Sequence, residues 1–239
     1  MKQLIDKSLI RIGNNRDGGY LMAEDFVNGG VAYSFGIGTN VTWEKELSRH
    51  GYKIYMYDHT IPGVYDLPMN CQYHRMGLAD SHSHGDELVE LEQLICRNGH
   101  DDMSMMVLKI DIEGAEWGFL NIVSGECLEK FDQIIMELHG LCELNALGNK
   151  IRCLEKINET HQLIHIHPNN NGQILYLGGK AYCNLMEVTY VNKNRYMFCD
   201  TRETLPHVLD FPCLPFVKEI GLGDWNNPDY YSIGDYDVF

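Results

Sequence analysis

The tightest constraint on this chain is the passage from Val31 to Asn40, VAYSFGIGTN. A largely apolar run enters two glycines one residue apart, and a helical stretch begins near Thr42. Such a run, without apolar/polar alternation, reads as a strand covered on both faces, which is the environment of a parallel sheet flanked by helices. Gly36 and Gly38 admit backbone conformations closed to other residues, so the chain can turn sharply and approach a ligand closely. In open α/β sheets ligands lie beyond the carboxyl ends of the strands, usually beside the first strand-to-helix turn. Taken alone, the turn is equally a tight connection without a ligand.

The strand signal recurs at 53–57, 104–110, 133–138 and 163–166. Helical periodicity falls between these runs, at 42–49, at 86–96 with Leu88, Leu91, Leu94 and Ile95 on one face, from about Glu113, and at 149–158. The alternation predicts an α/β fold with a Rossmann-like, doubly wound, mostly parallel sheet. The run 185–191, followed by 196–199, predicts an antiparallel C-terminal hairpin closing one edge. Residues 9–12 and 20–22 flank an Asp17, Gly18, Gly19 turn and predict a short hairpin before the sheet.

With 239 residues, 44% of them apolar, the chain reads as one domain spanning 1–239. Residues 1–26 form a lead-in, 27–200 the core and 201–239 a C-terminal segment. Within that segment, 219–239 carries five acids, no Lys or Arg, and the aromatics Trp225, Tyr230, Tyr231, Tyr236 and Phe239. Aromatics among acids predict docking onto the chain's own domain.

Nineteen Lys and Arg against 34 Asp and Glu leave a formal charge of −15, which disfavours a surface that tracks phosphodiester backbones. No nucleic-acid partner is expected. The eight cysteines form no CxxC pair, which speaks against a zinc cluster and a dense disulfide framework; reduced thiols are expected. No apolar run reaches the roughly 18 residues needed to span a bilayer, so the expectation is a cytoplasmic protein without a membrane partner. The oligomeric state is left open.

Asp58 closes the second strand about 20 residues after the glycines, where an acid can accept hydrogen bonds from a ribose. Together these features indicate an adenosine-containing cofactor, either a dinucleotide or S-adenosylmethionine. The dinucleotide fingerprint requires a third glycine, and Val41 stands in its place.

The stretch LKIDIEGAEW, 108–117, ends a strand in three carboxylates, Asp111, Glu113 and Glu116. Acids so close repel unless a cation, a donor-rich ligand or a helix N-terminus offsets them. Glu113 and Glu116 suit a first helical turn, whereas Asp111 at the strand tip does not.

The next strand brings Glu137 and His139 to the same sheet edge as Asp111. His139 is there either a general base or a hydrogen-bonded structural histidine. His165 and His167 share a face of the following strand, which leads into Asn169, and either histidine faces substrate or is a partly exposed strand residue. His82 and His84, in a polar loop, carry no specific role. A hard cation could sit among Asp111, Glu137 and His139, but no ligand spacing demands a metal, so magnesium is admitted and not expected.

As an ordered set, five segments resemble the FkbM-type S-adenosylmethionine-dependent methyltransferases of the class I superfamily. They are Arg11 to Gly13 with Asp17 to Tyr20, Ser34 to Gly38, Asp58 to Ile61, Lys109 to Glu116, and Glu137 to His139. The resemblance implies a seven-stranded sheet with Gly36 and Gly38 under the methionine part of the cofactor. It places Asp58 at the ribose, Asp80 at the adenine and His59 among the cofactor-binding residues. Ser34 stands where many such enzymes carry an acid, leaving Asp111 or the N-terminal segment to hold the methionine amino group.

The implied reaction moves the sulfonium methyl to a hydroxyl of a small molecule, sugar or glycan. His139 would act as base and Asp111 would orient, with Arg11, Tyr20, His165 and Asn169 toward the acceptor. Arg11, Arg16 and Arg75, basic residues near the expected site edge, would suit an anionic acceptor. The alternatives are an NAD-dependent oxidoreductase and a non-catalytic module that binds a cofactor or glycan.

Overall fold

The computed structural model describes residues 1–177, 180–201 and 203–224. Its centre is a sheet of seven strands, in chain order β1 (Val31–Phe35), β2 (Lys53–Tyr57), β3 (Cys71–His74), β4 (Met106–Ile110), β5 (Phe131–Leu138), β6 (His161–Pro168) and β7 (Met186–Asn192). Across the sheet they run β3, β2, β1, β4, β5, β7, β6. Six are parallel, and β7 is antiparallel to both of its neighbours. This is the Rossmann-like α/β sheet expected from the alternation, with the seven strands that the resemblance implied.

Strand alternation divides the core into two layers. Tyr33 and Phe35 of β1, Tyr55 and Tyr57 of β2, Leu108 and Ile110 of β4, and Ile134 and Met136 of β5 pack on one face. Ala32, Ile54, Met56, Val107 and Ile135 pack on the other. Both faces are covered, which is why these strands lack a polar side. Helices α2 (Leu91–Arg97), α3 (Glu116–Ile122), α4 (Gly125–Leu128) and α5 (Leu147–Thr160) contribute to the first layer. Helix α1 (Thr42–Arg49) covers the second with Trp43 and Leu47, joined by Ile12, Tyr20 and Met22 from the N-terminal hairpin Leu9–Ile12 and Tyr20–Ala23.

Several boundaries differ from expectation for local reasons. The helix expected over 86–96 begins only at Leu91, because Leu88–Val89 forms a short parallel pairing with Gly77–Leu78. The helix expected from Glu113 begins at Glu116. Glu113 and Gly114 have φ of 57° and 106°, left-handed values that a right-handed helix cannot contain. The antiparallel strand β7 pairs with β5 and β6 rather than with 196–199, since both its edges are taken. Phe198–Asp200 pairs instead with Lys2–Leu4 at the start of the chain.

Of the C-terminal segment, the described part packs on the domain. Leu205 joins the first core layer, and Asn170 Nδ2 donates to Leu214 and Val217 carbonyls, each at 3.0 Å. The aromatics from Trp225 onward lie outside the described residues. All eight cysteines are free thiols. Among the described residues, no helix is long and apolar enough to cross a membrane.

Candidate active site at the carboxyl edge of the sheet

The tips of β1 and β4 meet at Gly36. The Asp111 amide donates to the Phe35 carbonyl at 3.1 Å, and the Gly36 amide donates to the Tyr57 carbonyl at 3.0 Å. A Cβ on Gly36 would lie 1.6 Å from the Asp111 carbonyl oxygen, and φ there is 71°, so this corner admits only glycine. Gly38, at φ 51°, has open space where a side chain would project. Its amide donates to Asp58 Oδ2 at 3.0 Å, while Oδ1 accepts from the Thr60 amide at 2.8 Å and hydroxyl at 2.6 Å. Burial would raise the Asp58 pKa, but these donors outweigh it and hold the carboxyl below its usual range.

This turn forms the floor of a cavity of about 480 Å³. Gly36, Gly38, Asp58, His59, Asp80 and Asp111 all line it, so six of the seven residues expected to meet the cofactor converge. Ser34 is the exception. It is fully buried on the other side of the strand and donates its hydroxyl to Glu44 at 2.6 Å. Its side chain points into the α1 layer, toward Glu44.

The sequence reading did not single out Asp17 and Lys109, which also line the cavity. Lys109 is buried 3.6 Å from Glu44 and lies over the Tyr20 and Trp43 rings. Asp17 enters on the N-terminal turn, where its carbonyl accepts from Asn40 Nδ2 at 2.9 Å. Burial, followed by the nearby Asp111 charge, raises its pKa despite Lys109. The signals were present, Lys109 inside the quoted motif and Asp17 before two glycines, but only the three-dimensional turn aims them inward.

The residues expected at the acceptor divide. Tyr20 donates its hydroxyl to Asp111 Oδ2 at 3.0 Å and so belongs to the site, while Asn169 donates to Glu137 Oε1 at 2.6 Å behind it. Arg11 does not line the cavity. Its guanidinium donates to the Asn14 and Arg16 carbonyls at 2.8 and 2.9 Å and lies over Phe211, holding the N-terminal turn. His165 is buried against Asp210 at 2.9 Å, and His167 lies between Glu187 at 2.9 Å and Glu219 at 3.2 Å.

His139 faces a second, more open cavity with Glu113, Trp117, Glu143, Asn171 and Asn184, and Glu113 lines both cavities. Its Nδ1 lies 3.0 Å from Glu116 Oε1, and its Nε2 lies 3.4 Å from Glu113 and 3.5 Å from Glu137. Burial opposes the imidazolium, but the bond to Glu116 and the charges of Glu116, Asp111 and Glu113 prevail and raise its pKa. Glu137 is pushed up to about 10, first by burial and then by the Asp111 charge. The edge thus combines a cavity of about 480 Å³ with a dense carboxylate and imidazole group at its rim.

No protein-family model matches the chain, and no curated protein matches it in sequence. Solved structures similar to it include a candidate SAM-dependent methyltransferase from Streptococcus mutans, at 11% identity and a TM-score of 0.41, covering 79% of this chain and 56% of that one. Another is a precorrin 8W decarboxylase from Methanobacterium thermoautotrophicum, at 15% identity and a TM-score of 0.39, covering 69% and 82%. A third is a further candidate methyltransferase from Streptococcus mutans, in complex with SAH, at 10% identity and a TM-score of 0.35, covering 69% and 88%.

Proposed function

We propose that the chain is an S-adenosylmethionine-dependent methyltransferase acting on a hydroxyl of a small molecule or sugar. The observation that carries this reading is the junction of the Gly36 to Gly38 turn with Asp58 at the floor of one cavity. Open space over Gly38 lets a cofactor lie against the backbone, as a bulky side chain there would not. Thr60 uses both lone pairs of Asp58 Oδ1, whereas Oδ2 retains one beyond that used by Gly38, enough to accept a ribose hydroxyl. Asp80, Leu78 and Leu88 surround the adenine end, and His59 lies between.

At the methionine end, Lys109 is placed for the carboxylate, and Asp17 for the amino group. The absence of an acid at Ser34 is thereby met from the N-terminal turn. The cofactor supplies an already activated methyl group. The chain's work is then to align the acceptor oxygen and help its proton leave. Asp111 orients the acceptor, and in the metal-free chain His139 is the group positioned to receive the proton once its own Nε2 proton has gone. Among the described residues, the second cavity is lined by Glu113, Glu143, Trp117 and side-chain amides, and the nearby Lys150 ammonium is taken by Glu143 and the Gly140 carbonyl, which suits a neutral hydroxylated acceptor better than an anionic one.

Calorimetric titration of the purified chain with S-adenosylmethionine, S-adenosylhomocysteine and NAD tests the cofactor class. Binding of both S-adenosyl compounds but not NAD is expected, with Asp58→Ala weakening it at least about tenfold, the effect of losing a charged hydrogen-bond acceptor. Preferential NAD binding would give the oxidoreductase reading instead. Binding without turnover of any hydroxylated acceptor would favour the non-catalytic module.

A further inference from the structure

Between the two cavities, the tips of β4 and β5 bring together Asp111, Glu137 and His139. One ligand atom from each lies within 4.8 Å of the other two. Two carboxylates and one imidazole suit a hard or borderline divalent cation, and strand ends hold ligands more firmly than free loops do.

Orientation distinguishes this trio from a plain acidic patch. Glu116 Oε1 takes His139 Nδ1 at 3.0 Å, which turns Nε2 toward Glu137 Oε2 at 3.5 Å. Glu116 is fully buried, and its Oε2 has no hydrogen-bond partner. Glu137 is only 5% exposed; Asn169 holds Oε1, Oε2 faces His139 Nε2 at 3.5 Å, and the Asp111 carboxyl is within hydrogen-bond reach. The Tyr20 hydroxyl holds Asp111 Oδ2. Each member is thus fixed by a partner outside the trio while offering a ligand atom to the common centre. Outer groups impose the same order on metal ligands, where a carboxylate on the far nitrogen of a histidine is the usual device.

We propose that Asp111, Glu137 and His139 form a site for one divalent cation of the Mg²⁺ or Mn²⁺ kind at the junction of the two cavities. Binding itself needs no cofactor, whereas its part in a reaction rests on the methyl-transfer reading. There the cation takes the acceptor hydroxyl and makes it more acidic, His139 serves as a ligand rather than a base, and the proton leaves to water through the open second cavity.

The test is titration of the full, chelator-stripped chain with MnCl₂ in the absence of any nucleoside, following free Mn²⁺ by electron paramagnetic resonance. One Mn²⁺ per chain is expected, displaced by excess Mg²⁺, with Asp111→Asn and Glu137→Gln each weakening it at least about tenfold. Tyr20→Phe and Asn169→Ala remove only outer partners, so they keep the test informative if a ligand variant fails to fold by circular dichroism. About 10- to 100-fold weaker binding is expected from them.

The proposal is overturned if no stoichiometric Mn²⁺ binds, or if binding survives Glu137→Gln unchanged. Loss in Cys213→Ser but not in His139→Ala overturns it too, by moving the ion to His167, Glu187 and Cys213, which also lie within reach of one another. Titrating S-adenosylmethionine into the same samples separates the two readings. Mn²⁺ binding without cofactor binding upholds the cation site and removes the methyl-transfer reading, and the converse result does the reverse.

Discussion

Gly36 condenses the residue-scale argument into one position. Its positive φ disfavours any side chain, and a methyl group would meet the Asp111 carbonyl, a backbone atom that cannot step aside without moving the β4 tip. Gly36→Ala is therefore expected to cost at least about 2 kcal/mol of folding stability, the sum of backbone strain and steric displacement. Urea unfolding of the two proteins measures it, and a loss under about 0.5 kcal/mol would show that the corner is slack. At this scale the sequence was most legible where a residue type has one use. Glycine at a strand tip and an acid at the next tip are of that kind, and Gly36, Gly38, Asp58 and Asp111 do meet. It was least legible where one type serves several ends. Arg11 binds carbonyls of its own turn, Ser34 faces a buried glutamate, and His165 is spent on Asp210. Nothing in their immediate neighbours separates these uses from ligand contact.

At the scale of elements, covered strands announced themselves by composition, and α1 was legible over its full length, Thr42–Arg49. Where elements begin depended on backbone events with weaker signatures, such as the left-handed Glu113 that delays α3. Strand partners were harder still, because pairing of β7 with both β5 and β6 is decided by which edges remain free.

The β6 and β7 pair carries a consequence for pH. His167 is fully buried, with Glu187 and Glu219 on its two nitrogens and Asp210 and Cys213 nearby. Burial opposes its charge, but the two glutamates prevail and push its pKa from the usual 6.5 to about 10. A group raised on folding lends full stability below its unfolded value and loses it as pH climbs toward the folded one. Unfolding free energy should thus decline from about pH 6.5 to 10, by up to about 1.4 kcal/mol per pH unit for one proton. His167→Gln should flatten that decline. Urea unfolding across the range reads it, and parallel curves for the two proteins would mean that His167 is not charged in the folded state.

On the scale of the whole molecule, the N-terminal lead-in belongs to the site although it lies outside the sheet. Its hairpin supplies Tyr20 to Asp111, and the turn between its strands supplies Asp17 to the cavity wall. Two side chains of the sheet tie the lead-in down: Thr189 of β7 donates its hydroxyl to the Leu21 carbonyl, and Gln133 of β5, fully buried, takes Ala23. Gln133 Oε1 accepts from the Ala23 amide at 2.9 Å and its Nε2 donates to the Ala23 carbonyl at 3.0 Å. A glutamine at the start of an apolar strand read only as part of that strand, because its partner lies 110 residues away. Gln133→Leu keeps the volume but leaves the Ala23 amide without a partner, while the Ala23 carbonyl keeps only the Asp25 amide at 2.8 Å. An unsatisfied buried group costs about 1–3 kcal/mol, so a destabilisation of that size is expected. If the hairpin positions Asp17 and Tyr20, S-adenosylmethionine affinity should fall in the same variant even where circular dichroism shows the sheet intact. Unfolding and titration on one sample decide the matter. Lower stability with unchanged affinity would make the lead-in a cover for the core, whereas loss of both makes it a wall of the active site anchored from beneath through Gln133.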